Sequence, residues 1–381
     1  MPARKHDDET IKAALVGRTV AAAAKLLNLH ERNVYAHKAR LARQGWSPEH
    51  DMTKTVPDGF RLKGTSTLYD EDGKAKLQWV KTTIDQERQA ELIREACEAM
   101  SEDLPQVKPR AVKDAGYLSQ LLAAYPIGDA HIGMRAWGEE TQGSDWDLAI
   151  AERVQCGAMA ALVDMAPACE QALIINCGDW FHADNMEGTT SRSGHILDVD
   201  GRYAKMIRVG VKVMRQCIES ALMKHARVRV CNVIGNHDDT GAIWLSIALS
   251  HIYANEPRVT IDTSPAPFMY HEHGKVLIGM HHGHSCKPDR LPGVMATDQA
   301  QAWGRTEFRY WYIGHVHHQS VKEYSGVTVE SFNTLTAKDA YSAWGGYRAQ
   351  QNMKCIIHHA EFGEVGRHTV NPNMLKGEVA A

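Results

Sequence analysis

The chain reads as an α/β protein with a small helical domain in front of it, and three observations predict this. From about residue 116 onward, short apolar runs of β character alternate with helical stretches, which is the pattern of an α/β domain. Five of those runs end in a glycine and then in side chains able to hold a metal: LLAAYPIGDAH, ALIINCGDWFHADN, RVRVCNVIGNHDD, KVLIGMHHGH and RYWYIGHVHH. The first 45 or so residues instead carry Ala and Leu at helical spacing.

In that first segment DETIKAALVG and TVAAAAKLLN read as helices. After a break at Asn28, ERNVYAHKARLARQG starts another with Glu31 near its beginning, so two helices meet across a tight turn. The arrangement resembles a helix-turn-helix of the phage and recombinase type, with residues 31–44 as the recognition helix. Arg32, His37, Lys38, Arg40 and Arg43 make that helix basic, with Glu31 its only acid, and are the expected DNA contacts. A helical module that docks a protein or forms a homodimer is the alternative use of residues 1–46.

Residues 47–115 read as a connector. PDGFRLKGTSTLYDEDGKAKLQWVKT holds two β-rich runs around Asp72-Gly73, a hairpin signal. A charged helix (DQERQAELIREACEAM) and a proline-bearing linker (LPQVKPRAV) follow. The third segment, 116–381, is the α/β domain.

The composition narrows the function classes. A chain of 381 residues has room for two or three domains. No apolar stretch approaches the ~18 residues of a membrane helix, and MPARKHDDET lacks a secretory apolar core, so a cytoplasmic protein with no membrane partner is expected. The eight cysteines form no C-x-x-C pair and are expected to be buried free thiols. With a net charge of −3, a polyanionic partner would need a local basic surface.

Each of the five run ends is a weak signal alone. Together and in this order they resemble the calcineurin-like metallophosphoesterase family: D-x-H, GD, GNH[DE], a strand ending in H, then GHxH. The resemblance covers about residues 123–318 by motif. It implies a four-layer α/β/β/α sandwich and two divalent metal ions. Carried over by position, it implies Asp129, His131 and His317 at the first metal, Asp179 bridging both, and Asn236, His282 and His315 at the second. It places His237 outside the ligand set, facing the scissile phosphate. Two cations about 3.5–4 Å apart need a shared carboxylate. Mixed imidazole, carboxylate and amide donors suit Mn²⁺, the ion expected here, or Fe, Ni or Zn²⁺. The implied reaction is in-line attack by a metal-bridging hydroxide, with His237 stabilising charge or protonating the leaving oxygen.

Within MHHGH, the family pattern makes His282 the ligand, and strand alternation turns His281 to the opposite face. His284, past the strand, either lines the cleft or does not. His271 and His273, in YHEHGK, flank a turn and are expected to be solvated.

The second motif carries the subclass. GDWFHAD lacks the arginine of the GDxVDRG found in the family's Ser/Thr phosphatases and is more similar to the GDxFH of the SbcD-type nuclease branch. In that branch the histidine matching His182 assists at the phosphate, so His182 joins His237 as a catalytic candidate, a buried supporting role being the alternative. The layout also looks like metallophosphoesterases of bacteriophages and prophages often labelled DNA repair exonucleases. A dinuclear-metal phosphodiesterase acting as an exonuclease-like DNA nuclease is therefore expected. A small-molecule phosphodiesterase or phosphatase with a helical docking module is the alternative. A DNA-binding regulator with a vestigial metal site is weakest, because all seven ligands are present. Lys338, Tyr341, Tyr347 and Arg348, in the late TLTAKDAYSAWGGYR segment, either approach a phosphate or base or serve the fold.

Overall fold

The computed structural model describes residues 6–43, 46, 60–69, 75–84, 116–191 and 193–377. The chain divides into two compact units, 1–96 and 97–381. The expected charged helix and linker, and the expected boundary at 115/116, lie outside the described residues.

The first unit begins with three short helices, α1 (Asp8–Leu15), α2 (Val20–Leu27) and α3 (Glu31–Arg43). Asp7 caps α1 by accepting from the Thr10 N–H at 2.8 Å, and Thr19 caps α2 through the Ala22 N–H. Asn28 takes the left-handed conformation, φ 48°, that ends α2. Ile11, Leu15, Leu27, Val34, Leu41 and Trp46 are buried in one small core. Arg40 forks onto Asp8 at 2.5 and 2.9 Å, tying α3 to α1. Beyond the helices, β1 (Phe60–Tyr69) and β2 (Ala75–Ile84) pair as an antiparallel hairpin with Phe60 opposite Ile84.

The second unit holds two sheets. The six-stranded sheet has the order β13-β12-β3-β4-β5-β6. Its centre is parallel: β3 (Leu118–Ile127), β4 (Cys169–Asn176), β5 (Arg227–Asn232) and β6 (Val259–Asp262). Helices α4 (Leu148–Met165), α5 (Tyr203–Leu222) and α6 (Gly241–Ile252) make the crossovers. The antiparallel pair β12 (Met353–His359) and β13 (Gly363–Val370) extends one edge beside β3. The five-stranded sheet runs β10-β11-β9-β8-β7. There β8 (Val276–Met280), β9 (Phe308–Ile313) and β11 (Val327–Ser331) are parallel, flanked by antiparallel β7 (Met269–His273) and β10 (Ser320–Tyr324).

Side-chain alternation shows how the sheets pack. Leu122, Ala124, Leu173 and Ile175 of one sheet share a buried cluster with Val276, Ile278, Met280 and Tyr312 of the other. Their in-between neighbours face outward: Leu277, Trp311 and Ile313 pack against α7 (Leu291–Asp298) and α8 (Ala300–Arg305). A strand buried on both faces must be apolar throughout, which is why these runs show no period-2 pattern in the sequence.

The same alternation corrects one expectation. Met269 and His271 share the face of β7 that meets the other sheet, so His271 is buried rather than solvated. Burial pushes its pKa down to about 3, and neither ring nitrogen has a hydrogen-bond partner among the described residues. His273 keeps a bond from Nε2 to the Gln120 carbonyl at 3.0 Å.

The shared cluster yields a stability prediction. Ile175 is fully buried between the sheets, so Ile175→Ala is expected to lower unfolding free energy by about 2–5 kcal/mol. A denaturant titration checks this; a midpoint unchanged from wild type would mean that the two sheets do not meet there.

Candidate metal centre

Strands β3, β4, β5, β8 and β9, from both sheets, each run into one of the five motif loops. Three of the glycines that open these loops have no room for a side chain. A Cβ at Gly314 would lie 2.7 Å from Asp129 Oδ2, one at Gly178 2.5 Å from His282 Nδ1, and one at Gly235 2.0 Å from Asp179 Oδ1. Glycine is needed there because another loop's functional side chain occupies the space a Cβ would take.

All seven expected ligands come together. One nitrogen or oxygen from each of Asp129, His131 and His317 lies within 4.8 Å of the others, and the same holds for Asp179, His282 and His315. His282 Nε2 is 3.1 Å from Asp179 Oδ2 and 3.0 Å from Asn236 Oδ1. His317 Nε2 is 3.5 Å from Asp129 Oδ1 and 3.1 Å from His131 Nε2. His237 and His182 form a third such group with His131. No cysteine belongs to any of these groups among the described residues, and the seven described cysteines are free thiols.

The backbone is strained where the ligands sit. Among the described non-glycine residues, positive φ occurs at Asn28, Asp129, His131, Gln142, Asp179, His315 and His317. Asn28 and Gln142 are helix C-caps, and the other five are all expected ligands. Each such residue costs about 1–3 kcal/mol, so five around one point mark a place where geometry is held against local preference.

The charges there are held mainly by imidazoles. Asp129 and Asp179 are buried, and their only ion-pair partners among the described residues are His282 and His317. Burial alone would raise the Asp179 carboxyl, but His282, His237 and His131 together hold it well below the usual carboxylate range. Burial would likewise lower His282, yet Asp179, with Asp129 behind it, holds it up at about 10. His317 is raised too, burial being outweighed by Asp129. His131 is pushed well down by burial and then by His237 and His317, and burial also lowers His315. Two buried carboxylates, four imidazoles and an amide oxygen around one point form a donor set that fits divalent metal ions. Bound cations would supply the positive charge that no lysine or arginine brings among the described residues.

The ring bonds fix which nitrogens face the site. A carbonyl can only accept, so His282 Nδ1–H donates to the Cys177 carbonyl at 2.9 Å, leaving Nε2 for the centre. His237 Nδ1–H likewise donates to the His182 carbonyl at 2.8 Å and leaves Nε2 free. His182 itself is buried, its Nδ1 3.1 Å from His131 Nδ1. Burial and then His237 push its pKa down to about 3, so it is neutral and can accept from His131. His182 thus touches His131 by its ring and His237 by its carbonyl. His281 stacks on Phe268 with centroids 4.6 Å apart, away from the ligands, while the His284 ring is 5.3 Å from that of His282.

Several supports were not singled out from the sequence. Asp238 accepts from the backbone N–H of Asp179, Phe181 and Gly235 at 3.1–3.2 Å, stitching the GD and GNHD loops together. Thr334 Oγ1 donates to the Asp129 carbonyl at 2.7 Å. Asn176 accepts from Gly178 N–H and lies 3.4 Å from Asn232, which donates to Ser246. For the two asparagines the signal lies in the strings themselves, a polar residue within or at the end of an otherwise apolar run, and Asp238 is the acidic position of GNH[DE].

The expected DNA contacts lie on α3 of the first unit. Arg32 is exposed, His37 and Lys38 are half-buried, and Arg40 is bound to Asp8. The Arg43 side chain is outside the described residues.

Two measurements test this geometry. Gly235→Ala would force a methyl onto the Asp179 carboxylate, so Mn²⁺ affinity is expected to fall at least about tenfold with the circular dichroism spectrum unchanged. Secondly, an imidazole binds metal only when neutral, and His282 stays protonated up to about pH 10 in the metal-free protein. Metal binding near neutral pH should therefore release about one to two protons, from His282 and His317, and tighten as pH rises. Calorimetry in buffers of different ionisation enthalpy counts those protons; a count of zero would mean that the carboxylates do not hold His282 and His317 protonated before metal binds.

No protein-family model and no curated protein matches this chain. Among solved structures it is similar to a predicted phosphoesterase from Streptococcus pneumoniae, at 12% identity over 66% of this chain and 91% of that one, with a TM-score of 0.27. It is also similar to vacuolar protein sorting 29 from Cryptosporidium parvum, at 13% identity over 66% and 98%, TM-score 0.26. Phosphopantetheinyl hydrolase from Mycobacterium tuberculosis aligns at 11% identity over 61% and 94%, TM-score 0.27. With TM-scores this low, the likenesses leave activity to be judged from the side chains themselves.

Proposed function

We propose that this chain is a metal-dependent phosphodiesterase that cleaves DNA, built on the calcineurin-like plan with Mn²⁺ as its working ion. The observation that carries the reading is the convergence of Asp129, His131, Asp179, Asn236, His282, His315 and His317 from five strand ends, on strained backbone. The packing of helices on the outer faces of two sheets that share one core supports the four-layer arrangement. Bound divalent ions would supply Lewis acidity toward phosphate oxygens and a lowered pKa for bound water.

The chain's own residues supply the rest. His237 is clamped through Nδ1–H, so its ring is oriented and its Nε2 can carry a proton to a leaving oxygen. His182 acts as a positioning residue: it holds His131 by ring nitrogen and His237 by its carbonyl. Support for DNA over a small diester comes from the GDWFHAD string and from the basic composition of α3. The turn at Asn28 between α2 and α3 supports a helix-turn-helix reading of that unit.

The experiment follows from these roles. Asp179→Ala should lower the occupancy of both metals, since its carboxylate serves each. His237→Ala should keep both and lose about 10²–10⁴ in the rate of bis(p-nitrophenyl) phosphate hydrolysis. Normal hydrolysis by that variant would end the role given to His237. Linear DNA should compete with the small diester; failure to compete would favour a small-molecule substrate. For DNA affinity, Arg32→Ala and Lys38→Ala should each flatten the dependence on salt by about one unit of slope. An unchanged slope would take α3 off the DNA.

A further inference from the structure

Near the metal centre the chain leaves a cluster of aromatic side chains in solvent. Tyr341, Trp344 and Tyr347 are 73%, 86% and 59% exposed, and Trp137 is also bare. Single exposed apolar residues are ordinary, but three large rings within seven residues are not scattered. Nor is the segment a loose loop. Asp339 caps its helix, α9 (Ala340–Trp344), by accepting from Ser342 N–H at 2.8 Å. Lys338 Nζ donates to the Gln142 carbonyl at 3.0 Å, and Arg348 donates to the carbonyls of Ser342, Ala343 and Tyr347. The Tyr341 and Tyr347 rings lie 6.2 Å apart and 30° from coplanar.

Chain connectivity starts this segment beside the centre. Thr334 is bonded to the Asp129 carbonyl, and five residues on, Asp339 is near enough for its charge to act on His182 and His317. Lys338 and Arg348 keep their charges but are tied to backbone carbonyls, so the segment offers ring faces with two positioned cations beside them.

We infer that this shelf takes unpaired nucleobases: single-stranded DNA stacks its bases on Trp344 and Tyr341 while its phosphate enters the metal centre. The inference rests on the phosphodiesterase reading and narrows its substrate. A nucleic acid strand carries phosphates and aromatic faces side by side, and the protein places donors for one next to rings for the other. Every base has a π-face, so such a shelf tolerates any sequence, whereas a duplex keeps its bases stacked within itself.

The test uses the full-length protein in EDTA, where binding is read without cleavage, and compares a thymidine octamer with the same octamer of abasic sites. The two probes have identical phosphates, so contacts made by α3 contribute equally to both. Fluorescence anisotropy should show the thymidine octamer bound at least about tenfold more tightly. Tyr341→Ala/Trp344→Ala should erase that difference with an unchanged melting temperature, and Trp344→Phe should keep it. Equal binding of both octamers by wild type, or a difference that survives in the double variant, overturns the inference. So does a dimer that dissociates in the double variant while the difference persists, since the shelf would then face a second copy. Hydrolysis of bis(p-nitrophenyl) phosphate by the Mn²⁺-loaded wild type is scored separately. Its absence would sink the phosphodiesterase reading and leave the binding result standing.

Discussion

Asp129 and Asp179, buried with no lysine or arginine paired to them among the described residues, are the constraint on which the second unit is organised. Removing a charge from water costs several kcal/mol unless it is paired and hydrogen-bonded. Asp129 accepts from the His315 N–H at 2.9 Å and Asp179 from the His237 N–H at 2.8 Å, each from a loop of another strand. Every other feature of the centre follows from bringing those loops close enough to do this. Gly235 and Gly314 are glycines because the carboxylates occupy the space of a Cβ. Asp238 holds the GD and GNHD loops at a fixed separation through three backbone bonds. The rigid parallel strands beneath, from two sheets sharing one core, set where each loop begins.

The positive-φ residues complete that account. A strand that simply continued would carry its side chains alternately to opposite faces, and Asp129 and His131 would then point the same way but with Ala130 between them turned outward along a straight line. The left-handed turns at Asp129 and His131, and again at His315 and His317, curl the chain so that ligands from both loops meet. The stored strain is affordable because the strand ends that lead into the loops are buried. His182 belongs to the same scaffold. It couples His131, one of the converging ligand candidates, to His237, whose Nε2 is left free, and does so from inside the protein.

Much of this was legible in the sequence, for a physical reason. Doubly buried parallel strands are apolar throughout and end in glycine where another loop crowds in, so ALIINCGD or RVCNVIGN announces both strand and site. Less legible were contacts that depend on which loops meet. Thr334 is one Thr among several until it is seen bonded to the Asp129 carbonyl. Asp238 sits in the motif string, but its three backbone partners lie in two loops. His271 was misjudged because a short polar-looking strand, MYHEH, turns one histidine between the sheets. Arg40 looks like any basic residue of α3, and only the packing of α1 shows that Asp8 holds it.

The donors of the centre are held by strain, missing Cβ atoms and buried hydrogen bonds. In the phosphodiesterase reading proposed above, any phosphoester of suitable size would present the same oxygens to them. Selectivity has to reside in parts that touch the rest of the substrate, and such parts are the surface segments carried by the scaffold. In the second unit the segment around Tyr341 and Trp344 meets that description: its rings are exposed while its cations are turned back onto carbonyls of the chain. In the first unit the exposed Arg32 does, on a helix whose Arg40 is given over to holding the bundle together. The two offer different chemistry, charge for a phosphate backbone and ring faces for bases. In the DNA reading proposed above, each would act on a different feature of the strand.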